Sequence, residues 1–377
     1  MNILVNLVPI KSGGGQQVAS NFIIQVLKNS DFSPFFLVTE NTHVHKILLK
    51  CNCENIHVVK NGLLNRLIFQ LFTLGTIILK NDIEIIYTMF GPGLHHKNVK
   101  SVTGCAYSNL FFPEINFWQG YSFLKSIQLR LIDKYRLNST LKSNFIIFEN
   151  ESMQKRAIDL FKYPKEQTKL ILPSVSAYPD SEISEEFTLR LKNIDSTKFN
   201  FLMLSGWHKN KNIEIVPHIL SNLKKQGVND VNFVITVPKD HPDSIQLLEE
   251  AKIHSVEDNI VFFDQVLPSE VQFLFEEIDA VALFSLLESF SNNIIESWYF
   301  KKPLFISDEV WSRAICKNAA IYVERTNASK ISETIINFRN NKDLQEEIND
   351  NVVLIIKQYP NPKEKVNLQL DLLKKIR

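Results

Sequence analysis

The sequence predicts an α/β protein made of two doubly wound, Rossmann-like domains facing one another across a cleft. Three observations predict it. The chain has 377 residues, too many for one ordinary core and enough for two. Short runs of Ile, Val and Phe alternate with longer helical patterns, and past a Pro- and Ser-containing stretch the alternation starts again. Those apolar runs are near-continuous rather than alternating, as in strands covered on both faces of a parallel sheet.

In the first half, strands are expected at Ile3–Val8, Phe35–Thr39, Ile56–Val59, Ile83–Met89, Val99–Thr103 and Asn144–Phe148. The segment Gln16–Lys28 puts Val18, Phe22, Ile23, Val26 and Leu27 on one helical face. The most apolar stretch, Leu63–Leu79, is interrupted by Asn65, Arg66 and Gln70. It falls short of the roughly 20 apolar residues that span a bilayer, and a helix packed on a sheet is expected there.

Pro173–Lys198, with Pro179, Glu182, Glu185 and Glu186, reads as the connection between domains. Beyond it, strands are expected at Phe199–Ser205, Asn232–Val237, Ile260–Phe263, Ala280–Phe284, Leu304–Ser307 and Ala320–Val323. Val366, Leu370, Leu373 and Ile376 recur at helical spacing in Lys363–Arg377. The expected domains are therefore 1–178 and 198–358, with 359–377 as a final helix.

Charge narrows the function classes. Lys plus Arg (42) nearly cancel Asp plus Glu (41), so a bulk basic field for nucleic acid is absent. The four cysteines include one Cys51-x-Cys53 pair, which without a second pair or nearby His lacks zinc-site spacing. Reduced thiols in a cytosolic enzyme are expected. The opening Met1-Asn-Ile-Leu-Val-Asn-Leu-Val reads as a first strand and not as a signal peptide. A cytoplasmic location, or one at the inner face of the cytoplasmic membrane, follows as the expectation.

Three motifs stand where strands run into helices. Ser12-Gly13-Gly14-Gly15 follows the first strand, where glycines let backbone approach a ligand and free helix amides favour an anion or a polar oxygen. A tight turn that needs glycine only for its conformation explains the same residues. Ser205-Gly206-Trp-His-Lys209-Asn-Lys211-Asn leaves the first strand of the second domain. Lysines there could stabilise a departing diphosphate, since fixed cations lower the barrier where negative charge grows; an exposed basic loop is the competing explanation.

Glu288-Ser289-Phe290-Ser291-Asn292-Asn293-Ile-Ile-Glu296 is the third motif and the most informative. With 25 glutamates in the chain, roughly one or two pairs at this spacing arise by chance. Context narrows it: strand, polar loop, helix. If wholly helical, the segment would set the two carboxylates about 12 Å apart, beyond the roughly 5–9.5 Å of a hydrolase pair. Separate roles are expected, with Glu288 on the loop beside a sugar and Glu296 further along the helix. The Ser291–Asn293 amides could hold phosphate, each charge so placed gaining roughly 0.3–2 kcal/mol.

Together these motifs resemble the retaining nucleotide-sugar transferases of glycosyltransferase family four, of bacterial surface-polysaccharide type. Ser-Gly-Trp-His-Lys-Asn-Lys-Asn-Ile-Glu is similar to their strand–loop–helix segment. Leu-Leu-Glu-Ser-Phe-Ser…Glu-Ser-Trp is similar to their Glu-x7-Glu signature, and Gly104-Cys-Ala-Tyr-Ser-Asn-Leu-Phe-Phe-Pro-Glu to a branch acting in O-antigen, capsule or lipopolysaccharide synthesis. The resemblance implies the two-domain GT-B fold and a nucleotide diphosphate-sugar donor. It implies Glu288 and Lys211 as the catalytic pair, Lys211 on the diphosphate and Glu288 near the anomeric carbon. Glu296 would bind ribose hydroxyls, the Ser289–Asn293 segment sugar and phosphate oxygens, and Val266 the base. Lys209 and Gly206 complete the donor side, Gly13–Gly15 form the acceptor-side loop, and the last helix would cross back onto the first domain.

The sequence departs from the family at Trp207, where many members carry Arg. It also departs at Thr103–Ala106, where a His is common, and around Ser291-Asn292, where a glycine is usual. No Asp-x-Asp metal signature occurs, so no metal and no cofactor are expected, lysines and helix amides taking the cation's part. The acceptor is expected to be a saccharide or a lipid-linked one. Leu63–Leu79 and Phe117–Tyr135, with Lys125 and Arg130, could touch lipid headgroups. Two other classes stay open: a nucleotide-sugar epimerase of the same fold, and a silent sugar-nucleotide binder.

Overall fold

Each half of the computed structural model, which describes residues 1–11, 13–174 and 183–377, is built on one parallel sheet. One unit comprises Met1–Ser174 and Pro360–Arg377, the other Val175–Tyr359. Of the expected connection, 175–182 lies outside the described residues, and the helix Glu185–Leu191 follows it.

The first unit has seven strands: β1 (Asn2–Asn6), β2 (Ser33–Thr39), β3 (Ile56–Val59), β4 (Ile85–Thr88), β5 (Lys100–Cys105), β6 (Phe145–Phe148) and β7 (Thr168–Leu170). Their order is β3-β2-β1-β4-β5-β6-β7, with β1 pairing in parallel with both β2 and β4. The central strands are apolar on both faces because both are covered. Ile3, Val5, Phe36 and Tyr87 pack on one side with Phe22, Ile23 and Val26 of the helix Gly15–Leu27. Leu4, Leu37 and Ile86 pack on the other with Leu74, Ile77 and Ile78.

The strand β7 was not anticipated. It is three residues long, and its Thr-Lys-Leu composition offers no apolar run to read. The chain's last helix, Pro362–Ile376, belongs to this unit: Val366, Leu370 and Leu373 enter the same core as Phe22. A capping box between Asn361 and Glu364, followed by Pro362 in the first turn, starts it.

Leu63–Leu79 is helical in three pieces: Leu63–Ile68, a π-helical turn Phe69–Thr73, and Leu74–Lys80. Its inner residues Phe69, Leu74, Ile77 and Ile78 pack on the sheet as expected. The outer ones, Leu64, Leu67, Ile68, Leu71, Phe72 and Leu79, are exposed, Leu71 by 75% and Phe72 by 76%. No helix among the described residues is long and apolar enough to cross a membrane.

The second unit repeats the plan with β8 (Phe199–Met203), β9 (Val231–Ile235), β10 (Ile260–Phe262), β11 (Ala280–Leu283), β12 (Leu304–Ser307) and β13 (Ile321–Val323). The order β10-β9-β8-β11-β12-β13 reverses direction between β8 and β11. In such sheets the crevice outside the strand carboxyl ends at that reversal is where ligands bind.

Candidate active site

Strands β8 and β11 are hydrogen-bonded neighbours, with Phe201 opposite Ala280 and Leu202 opposite Val281. Being parallel, they release their following loops at the same sheet edge. One loop carries Gly206, Lys209 and Lys211; the other carries Glu288 to Asn293. Sequence order separates these loops by some eighty residues, and the topology brings them together.

The contact between them is direct. Lys211 Nζ donates to Glu288 Oε1 at 2.6 Å, with 21% and 14% of the two side chains exposed. Asn210, buried between the lysines, clamps the loops. Its backbone carbonyl accepts from Leu286 N at 2.8 Å, its Oδ1 accepts from Leu287 N at 3.0 Å, and its Nδ2 donates to the Leu287 carbonyl at 2.8 Å. The lysine loop holds its shape through a short 3₁₀ turn at Lys209–Lys211, capped when His208 Nδ1 accepts from Asn210 N. Asn212 then takes a left-handed conformation (φ 56°), which Asn tolerates better than most residues, and donates to the Arg325 carbonyl.

Beyond Glu288, the chain enters the helix Asn292–Tyr299, with Ser291 as N-cap. No side-chain cap bond and no acidic residue occupies the first turn, so its amides carry the positive end of the helix dipole toward any ligand there. Asn293 Nδ2 ties this start to β8 by donating to the Leu204 carbonyl at 2.8 Å. Phe290 turns its ring toward Tyr359, centroids 6.0 Å apart. Glu296 is buried in the helix, 7% exposed.

Val266 lies on the loop after β10, at the same sheet edge but across β9. Arg190 anchors that loop by donating to the carbonyls of Phe263 and Gln265 at 2.9 and 3.0 Å. Gly206 is exposed, and a Cβ added there would meet nothing within 4 Å. Gly13, Gly14 and Gly15 belong to the other unit, where they follow β1 and start its first helix. Gly13 has φ 72°, a value that favours glycine, and Ser12 lies outside the described residues.

Two neighbours of the pair had not been singled out, Asn210 and His208. Desolvation, and then the Lys211 charge, hold the His208 imidazole below its ordinary value, with Glu288 opposing. Asn210 carries no sequence signal beyond standing between two lysines, because its role is made by the β11 loop.

Chemically, the arrangement offers one fixed cation, one carboxylate touching it, and a helix start, all at one sheet edge. That combination suits an anion beside a centre that gains positive charge.

Comparison with solved structures gives the fold. The glycosyltransferase from Rickettsia africae ESF-5 aligns with a TM-score of 0.73 at 17% identity, covering 100% of this chain and 98% of that one. Anabaena Alr3699/HepE, solved with UDP and glucose, aligns at 0.70 and 15% identity, covering 100% of both chains. Sucrose-phosphate synthase (tll1590) from Thermosynechococcus elongatus aligns at 0.71 and 13%, covering 100% and 99%. These likenesses give two parallel-sheet α/β domains of the GT-B class. A comparison with curated proteins finds no match. Residues 185–353, the stretch that carries Lys211 and Glu288, match the family model described as "Glycosyl transferases group 1", and that match supports a glycosyltransferase family.

Proposed function

We propose that this protein is a retaining, metal-independent hexosyltransferase. It moves a sugar from a nucleoside diphosphate-sugar to a saccharide or lipid-linked acceptor, in bacterial surface-polysaccharide synthesis. The observation that carries the reading is the 2.6 Å Lys211–Glu288 contact at the strand-order reversal of the second sheet. The bond from the anomeric carbon to the diphosphate oxygen breaks, and the diphosphate leaves with the electron pair toward Lys211 and the Ser291–Asn293 amides. The acceptor hydroxyl attacks from the same face and passes its proton to the leaving phosphate. Glu288 supports positive charge at the anomeric carbon, Glu296 holds the ribose hydroxyls, and Val266 touches the base. No protein-bound cofactor takes part.

UDP-sugars are the first donors to try, because the Anabaena neighbour was solved with UDP. The test is acceptor dependence: UDP must be released from UDP-glucose or a related donor only when an acceptor is present, and the product must keep the donor's anomeric configuration. Sugar interconversion without acceptor would instead reveal an epimerase, and donor binding without any turnover a silent binder.

A lipid-linked acceptor gains support from the outer surface of the first unit. On the helix Phe123–Leu141, Phe123, Leu124, Ile127, Leu131 and Tyr135 are all exposed, in a stripe flanked by Lys125, Arg130 and Lys134. In the same unit Leu64, Leu67, Leu71 and Phe72 are exposed as well. Apolar residues mixed with cations suit an anionic interface. Flotation with vesicles rich in anionic lipid should carry the protein, and Leu71→Glu/Phe123→Glu should release it. No flotation of the wild type would remove the membrane from the reading.

A further inference from the structure

We infer that the second unit holds a transition-metal site of the zinc type, formed by His218, Glu250 and His254 on two packed helices. His218 lies in the first turn of the helix Val216–Lys225; Glu250 lies in the helix Pro242–Ile253, and His254 is that helix's C-cap. One ligand atom from each, two imidazole nitrogens and a carboxylate oxygen, lie within 4.8 Å of one another. The helix Pro242–Ile253 carries the chain from the end of β9 back to the start of β10. His254 therefore lies toward the strand-start edge, opposite the edge that releases the Lys211 and Glu288 loops.

Glu250 Oε1 is 3.2 Å from His254 Nε2 and 3.8 Å from His218 Nε2. Ligand atoms around a tetrahedral zinc with bonds near 2.0–2.1 Å sit about 3.3 Å apart, so small side-chain rotations complete the set. Glu250 and His254 are one helical turn apart, which puts both on one face. The rings of His218 and His254 stand edge to face with centroids 5.2 Å apart, so both nitrogens can point at one centre. Ser221 Oγ lies 3.4 Å from His254 Nδ1. Without an ion Nε2–H donates to Glu250; with one bound, Nδ1–H can donate to Ser221 Oγ and leave the Nε2 lone pair for the metal, the outer-shell arrangement that orients metal-binding histidines.

Two imidazoles and one carboxylate suit zinc or a neighbouring divalent transition metal better than Mg²⁺ or Ca²⁺, which prefer oxygen. The side chains are 48%, 40% and 28% exposed, so water can fill the fourth position. A bound ion would tie the two helices together. This inference is independent of the proposed transfer reaction, because none of its residues serves the donor loops.

The test titrates zinc sulfate into the full-length protein by calorimetry, with the thermal midpoint followed in parallel. One equivalent should bind and raise the midpoint. His218→Ala and His254→Ala should each weaken binding at least ~10-fold, as should Glu250→Gln. Cys51→Ser/Cys53→Ser should leave that equivalent in place, and cobalt should give visible d–d bands lost in the histidine variants. Midpoints measured without metal check that each variant is folded. Failure of the wild type to bind would overturn the site, as would zinc binding undiminished in His218→Ala/His254→Ala. In either case the cluster is only a His254–Glu250 hydrogen bond with His218 3.8 Å away.

Discussion

Lys211 Nζ and Glu288 Oε1, 2.6 Å apart, join two loops that are distant in sequence and adjacent only because β8 and β11 are. If the pair acts on the reacting groups, Glu288→Ala should lower turnover on the order of 10²–10³, the cost of losing one electrostatic group aimed at developing charge. Lys211→Ala should cost a similar factor. The double variant should fall short of the product of the two, because the residues touch. The thermal midpoint should move little, since a partly exposed ion pair contributes on the order of 1 kcal/mol or less. Steady-state kinetics with calorimetry separates the effects, and near-normal turnover in Glu288→Ala removes that residue from the chemistry.

Asn210 predicts a different pattern. Its side chain satisfies both the N–H and the carbonyl of Leu287, and a buried backbone group left without its partner costs about 1–3 kcal/mol. Asn210→Ala should therefore lower the unfolding free energy by about 2 kcal/mol and also reduce turnover, because the Glu288 loop loses its clamp. Asn210→Asp keeps the acceptor but turns a carboxylate oxygen on the Leu287 carbonyl and the Glu288 carboxylate where an N–H donated before, so its urea midpoint should fall at least as far as that of the alanine variant. Equal midpoints for the alanine variant and the wild type would mean the loop is held by something else.

Asn210 also marks where sequence reading ends. Most of the strands β1–β6 and β8–β13 were legible because parallel strands covered on both faces are largely apolar, although β5, Lys-Ser-Val-Thr-Gly-Cys, shows how thin that signal can be. The short edge strand β7 was not, having no such run. Glu288, Lys211 and the start of the Asn292–Tyr299 helix could be marked because each follows a legible strand. Their meeting depends on strand order, which no local pattern encodes. Leu63–Leu79 and Phe117–Tyr135 could be marked as apolar stretches able to touch lipid headgroups, but which of their residues stay exposed, as Leu71, Phe72 and Phe123 do, could not, since an apolar helix reads alike whether its outer side meets protein or solvent.

Gly104 tests the packing of the first sheet. It lies in β5, where an added Cβ would come within 2.0 Å of the Met89 carbonyl oxygen, a backbone atom that cannot swing aside. Gly104→Ala must push β5 from the chain leaving β4, and overpacking of this kind costs typically 1–3 kcal/mol and occasionally more. A loss of about 3 kcal/mol or insoluble expression is expected. Gly206→Ala, where the same methyl meets nothing within 4 Å, should leave the midpoint unchanged. A Gly104→Ala protein as stable as the wild type would show that the two segments can separate freely.

His95 gives the pH prediction. Its Nε2 is 2.7 Å from the Ser139 carbonyl and its Nδ1 3.1 Å from Ser101 Oγ, so a neutral ring with its proton on Nε2 satisfies both. Desolvation is the larger influence and lowers its pKa below 6.5; the Ser139 carbonyl partly opposes this, and the Lys142 charge lowers it further. A histidine with a depressed folded value binds its proton more readily when unfolded. Its contribution is therefore complete above the unfolded value and is lost as pH falls through about 6.5 toward the folded one. Urea midpoints should decline as pH drops across that window, and His95→Gln should flatten the decline without abolishing it, because desolvation also lowers His57. An unchanged slope in His95→Gln would mean that protonation at this ring is not coupled to unfolding. A decline confined to pH below 4 would point instead to carboxylates.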